Sequence, residues 1–223
     1  MKLEKITIEA GRGGRWYDDA CGTAHALELV GERWSLLIMR ELMLGPRRFG
    51  DLKTTLNGIS ANGLTQRLDG LEAAGVLYRR KLPPPASVQV YELTPWGLEA
   101  EGAIKALGAW AARSPGHDPT LPLSAVSLML SMRTMFKADR ATGVRLSVGF
   151  IIGEERFGAR VRDGILSIDR GEPDAPDAVV TAAPEAVAGF LYGGAPLPLD
   201  AVSGDAMALA AYGRLFELPP KAA

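Results

Sequence analysis

The chain has 223 residues, 47% of them hydrophobic and 23% charged, with a formal net charge of −1. Its length suits two domains of ordinary size, and its composition is that of a soluble globular protein rather than a disordered or fibrous one. No run of about 18 apolar residues occurs, so no membrane insertion is expected, and the opening stretch MKLEKITIEAGRGGR lacks a signal-peptide core. Cys21 is the single cysteine, which excludes an intrachain disulfide and points to a cytoplasmic location.

In chain order, residues 1–16 read as an N-terminal arm ending in Gly-Arg-Gly-Gly. Residues 18–30 and 33–43 read as helices, the second placing Trp34, Leu37, Ile38 and Leu42 on one face. Gly45-Pro46 ends it, and Phe49, Leu52 and Leu56 mark a short third helix. Ser60 stands at an N-cap position, and Leu64, Leu68 and Leu71 then form one apolar stripe. Gly75 follows where a helix C-terminus favours a left-handed residue. Val76–Leu82 and Val88–Leu93 read as strands around Pro83-Pro84-Pro85, which cannot donate ladder hydrogen bonds and so belongs at an exposed tip. Thr94-Pro95 opens a helix presenting Ala100, Ile104, Leu107 and Ala111 along one side.

The texture changes after residue 113. Residues 114–122 read as a linker, and 123–138 as a helix apolar almost all round. Strict alternation follows in Val144, Leu146, Val148, Phe150 and Ile152, then in Phe157, Ala159 and Val161, with Asp163-Gly164 as a hairpin turn. Ile165–Ile168 and Ala178–Ala182 continue the strands, and Pro184–Tyr192 and Asp205–Phe216 close the chain as helices. The expected architecture has two domains. Residues 17–113 form a mainly α winged helix-turn-helix, and residues 123–223 an α+β domain with an antiparallel sheet and packed helices.

Helix, turn, helix and β-ribbon in that order is the plan of a winged DNA-binding module. Residues 47–81 carry seven basic and three acidic side chains, a local excess suited to phosphate contact. With the leucine stripe inward, Asn62, Gln66 and Asp69 face outward and Thr65 and Arg67 flank them. Asn and Gln pair bidentately with adenine in the major groove, and Arg with guanine. Ser60 and the first helical turn lie where base-reading residues belong. Arg79, Arg80, Lys81 and the tip through Ser87 are expected to follow phosphates on one side, and Arg47 and Arg48 on the other.

The motifs ALELVGERWSLLIMREL (26–42), GPRRFGDL (45–52), GISANGLTQRLDGLEAAGVLYRR (58–80) and YELTPWG (91–97) resemble the HxlR family of bacterial winged-helix regulators, relatives of the MarR group. The resemblance implies a homodimer, built from helices before and after the winged module, bound to double-stranded DNA at a palindromic operator. It also matches Cys21 to a cysteine that some members use as a redox or electrophile sensor. The plainer expectation is a small buried residue in the first helix. Residues 120–218 resemble the sterol carrier protein type two fold. That implies an apolar tunnel for a lipid or other hydrophobic molecule, with Met129, Met132, Met135, Phe136, Phe150, Phe190, Leu215 and Phe216 as candidate lining. The same residues simply filling a core is the competing reading.

No enzyme is expected and no cofactor. His25 and His117 are the only histidines, no Cys/His cluster suits zinc, and Gly11-Arg12-Gly13-Gly14 follows no convincing strand. Glu154-Glu155 reads as a solvated charge pair at a turn. Two functions compete. One is a sequence-specific regulator controlled by a hydrophobic ligand, and the other a lipid-binding protein whose winged module serves dimerisation or partner binding.

Overall fold

A computed structural model describes residues 17–222, so the arm at 1–16 lies outside the described residues. The winged half runs α1 (Gly22–Val30), α2 (Ser35–Leu42), α3 (Phe49–Thr55), α4 (Ala61–Ala73), β1 (Leu77–Lys81), β2 (Gln89–Leu93), α5 (Pro95–Glu99) and α6 (Glu101–Ala112). The Ser60 hydroxyl accepts the Gly63 amide at 2.9 Å, as an N-cap should. Leu64, Leu68 and Leu71 are at most 1% exposed, and burial of each contributes about 1.5–3 kcal/mol. Gly75 holds the left-handed φ of 72° that ends α4. Strands β1 and β2 pair antiparallel from Leu77↔Leu93 to Lys81↔Gln89. Arg47 adds a third line to this ribbon through paired backbone bonds with Tyr91 of 3.0 and 2.8 Å.

The second half runs α7 (Ala125–Met135), β3 (Leu146–Ile152), β4 (Glu155–Arg162), β5 (Ile165–Arg170), β6 (Ala178–Thr181), α8 (Pro184–Gly193), β7 (Val202–Gly204) and α9 (Ala206–Gly213). Its sheet has the order β5-β4-β3-β6-β7. Asp163 and Gly164 both take positive φ, 54° and 77°, as a primed hairpin turn requires. The sheet is mixed rather than wholly antiparallel, because β6 runs parallel to β3. After β5 the chain crosses to the far side of β3 through a loop carrying Pro173. Gly149 and Gly158 face each other across β3 and β4, and a side chain at Gly158 would stand 3.0 Å from the Pro173 ring. Two small residues in register let the crossing loop lie on the outer sheet face.

The halves share one contiguous hydrophobic core rather than two separate ones. Helix α7 is buried nearly all round, between α6 and α2 on one side and the sheet on the other. The C-terminal segment returns to the end of α6. There the Lys221 ammonium donates to the carbonyls of Ala112, Ser114 and His117 at 3.0–3.2 Å.

The junction also holds a charged network. Arg47, expected at a phosphate, is instead 7% exposed. Its Nη1 and Nη2 donate to both Glu155 oxygens at 2.7 and 3.1 Å. Glu155 therefore is no solvated turn residue. It also accepts from Arg170 at 2.5 Å, while the Arg170 Nε donates to the Leu44 carbonyl at 3.1 Å. Glu41 is fully buried, and its Oε1 accepts from Arg40 at 2.8 Å and from the Ser124 hydroxyl at 2.7 Å.

Candidate nucleic-acid interface

Helix α4 turns a polar face to solvent. Asn62, Thr65, Gln66 and Asp69 are exposed, while Arg67 is half-buried and pairs with Glu32 at 3.1 Å. The Thr65 hydroxyl donates to the Ala61 carbonyl at 3.0 Å, and the Ser60 hydroxyl is occupied by its cap. Asn62 and Gln66 are thus the exposed amide side chains on this face. Gly63 has a steric reason as well as a propensity cost, since a Cβ there would stand 3.1 Å from the Ser60 hydroxyl.

The ribbon lies against this helix. The Arg79 Nε donates to Glu72 at 2.7 Å, and Arg79 approaches Asp69 at 3.1 Å. The Arg79 hydrogen bond holds the Glu72 carboxyl below its usual value, against a small opposing effect of burial. Arg80 pairs with Glu92 across the ribbon. These acids offset part of the basic excess seen in 47–81. Arg48, Lys53 and Lys81 make no ion pair among the described residues. Arg48 and Lys81 are exposed, as is Ser87 at the tip, where its φ is 40°.

Cys21 is not buried. It occupies the N-cap position of α1, exposed to solvent. The polar groups at the start of α1, the Thr23 amide first and then the Thr23 hydroxyl and the Ala24 amide, favour the thiolate and hold the thiol below its ordinary range.

Helices α1 and α6 are apolar yet largely uncovered. Helix α1 buries no residue and α6 only Ala112, while Leu27, Leu107 and Trp110 on these helices and Trp96 of the adjoining α5 are 48–71% exposed. An open apolar groove of about 320 Å³ runs between them, lined by Leu27, Val30, Met39, Trp96, Ile104 and Leu107.

The residues expected to line a tunnel are packed against one another. Met129 and Met132 are fully buried, Phe150, Leu215 and Phe216 are at most 4% exposed, and Met135 is 7% exposed. Tyr212 stands 4.9 Å from Phe216 and 5.9 Å from Phe150, ring centre to ring centre, and Phe136 is 5.9 Å from Phe216. Phe190 lies over Gly213 of α9, where a Cβ would come within 2.9 Å of its ring.

The profile of the HxlR-like helix-turn-helix family matches residues 29–118. A YtfH protein of Escherichia coli, described as an HTH-type transcriptional regulator, is 34% identical over 97 residues, covering 44% of this chain and 77% of that protein. The chain belongs to the HxlR-like helix-turn-helix family. The Bacillus subtilis HTH-type transcriptional regulator YodB is 36% identical over 86 residues, covering 39% of this chain and 77% of YodB. Rv3095 of Mycobacterium tuberculosis is 44% identical over 85 residues, covering 38% of this chain and 53% of that protein. The family match ends at residue 118, so α7 and the five-stranded sheet lie beyond it. Among the described residues no helix is long and apolar enough to cross a membrane, and no His, Cys, Asp and Glu cluster could hold a metal ion.

Proposed function

We propose that this chain is a homodimeric, sequence-specific DNA-binding regulator, with residues 17–113 as its winged module and residues 123–223 as an attached α+β unit. The observation that carries this reading is the outward face of α4. Asn62 and Gln66 stand one turn apart on a helix whose opposite face is anchored by three buried leucines. Bidentate amides at that spacing suit base edges in the major groove. Arg48, Arg79, Arg80 and Lys81 would follow phosphates, which fixes register without reading sequence.

The α1 and α6 face supplies the dimer. A contiguous apolar patch with two half-exposed or more exposed tryptophans is costly on a soluble monomer, and a second copy of the same face covers it with two-fold symmetry. Trp110→Glu is expected to give monomers by light scattering and to weaken operator binding, with folding retained.

The affinity test is a salt titration on an operator-containing fragment. Log affinity should fall steeply with log salt, and Lys81→Ala should reduce that slope by about one. Asn62→Ala and Gln66→Ala should each relax discrimination by about 1–3 kcal/mol. Operator binding no tighter than random duplex refutes specific regulation and favours the alternative, in which the winged module serves assembly. The Asp163-Gly164 hairpin and the closing helices α8 and α9 support reading the second unit as sterol-carrier-like, and its close-packed interior favours an anchoring role for the residues first assigned to a tunnel.

A further inference from the structure

The charged network at the junction is not balanced. Arg40, Arg47 and Arg170 bring three guanidinium groups, whereas Glu41 and Glu155 bring two carboxylates. Arg47 is enclosed, held by both Glu155 oxygens and 3.8 Å from Glu41. Arg170 is held between Glu155 and the Leu44 carbonyl. Arg40 donates through Nε and Nη2 to a single Glu41 oxygen, which leaves Nη1 for another acceptor, and its side chain is 25% exposed. Arg40 lines a cleft of about 370 Å³ between the α2–α3 region and the segment entering α7. Trp34, Leu37 and Leu123 give that cleft apolar walls, Thr55 and Asn57 give it polar groups, and Arg40 is the one charged residue among its lining. The lining is apolar and polar in similar measure, with Arg40 as its charged member, and a cleft of this size at a junction between units is where small-molecule sites occur.

We propose that this cleft binds a small apolar carboxylate, with the carboxylate on Arg40 and the apolar body between Trp34, Leu37 and Leu123. The pairing is charge-assisted, and the surplus positive charge means that the ligand neutralises the network without displacing Glu41. The walls come from both halves of the chain, so an occupant bears on how the winged module sits against the second unit. That regulatory consequence rests on the DNA-binding reading, whereas binding itself does not.

The test is calorimetry on the full chain without DNA, using 1-naphthoate and octanoate as aromatic and aliphatic probes, with 1-naphthalenemethanol and octanol as neutral counterparts. At least one carboxylate is expected to bind once per chain more tightly than millimolar, and at least tenfold more tightly than its alcohol. Arg40→Gln should erase the preference for the carboxylate. Leu37 is 38% exposed, so Leu37→Trp should fill the cleft and abolish binding without unfolding the chain. Neither carboxylate binding, equal affinity for acid and alcohol, or binding undiminished by Leu37→Trp would each overturn the proposal. Operator binding by the ligand-free chain, measured in parallel, isolates failure of the DNA-binding reading from failure of this site.

Discussion

Glu155→Gln probes the junction with little change in shape. The substitution removes one charge and leaves the Arg47 side chain, 8% exposed, facing a neutral amide. The local network would then hold three guanidinium groups against Glu41 alone. Breaking a fully buried pair costs about 3–5 kcal/mol, because a charge is left uncompensated. Glu155 keeps 24% side-chain exposure, so water screens part of the loss and about 2–3 kcal/mol is expected. For a chain of this size that corresponds to a fall of roughly 5–10 °C in Tm, measured by calorimetry or circular dichroism. The pH dependence supplies a second check. Burial pushes the Glu155 carboxyl up, but hydrogen bonds and charge from Arg170 and Arg47 outweigh it and leave the group below its usual value. A carboxyl depressed on folding adds stability above the ordinary carboxylate range, and that stability is lost as pH falls through it. The gap between wild type and Glu155→Gln should therefore be full near neutral pH and close in acid. A Tm unchanged at neutral pH, or a gap that widens in acid, would refute the account.

Two further outcomes test particular placements. A Cβ at Gly97 would stand 2.2 Å from the Val76 carbonyl oxygen, so Gly97→Ala should destabilise the chain by more than the roughly 1 kcal/mol that alanine gains over glycine in a helix, read from denaturant midpoints. Alkylation of Cys21 by iodoacetamide, followed by mass spectrometry across a pH series, should show a midpoint below that of an unperturbed thiol, and a midpoint at or above it would remove the N-cap explanation.

The winged module was legible because its determinants are local. The leucine spacing in α4, the Ser60 cap and Gly75 each act within a few residues and hold in the structure, as does the equally local Asp163-Gly164 turn of the second unit. Arg47 was misread because its fate depends on Glu155, 108 residues away, which no local pattern encodes. One signal was present, in that Glu41 is a lone acid inside the apolar stretch SLLIMREL, and a buried carboxylate needs partners. Alternation in 144–161 gave the strands but could not show that β6 returns parallel to β3, since period two is common to both pairings. Strand β7, only three residues long, carries too little pattern to be seen.

Arg47 also decides which part of the winged module feels the second unit. Its backbone is bonded to Tyr91 in β2, and its side chain holds Glu155 at the start of β4. A shift of the β3–β4 hairpin therefore reaches the ribbon directly, whereas α4 is held by its own leucines against the winged core. The ribbon is the phosphate-tracking part of the proposed interface and α4 the base-reading part. Loosening the junction should then change the salt slope of binding before it changes sequence preference. Glu155→Gln, assayed on operator and scrambled duplexes at several salt concentrations, is expected to lower affinity for both by a similar factor. A selective loss on the operator, with the slope unchanged, would place the coupling in α4 and break this chain of reasoning.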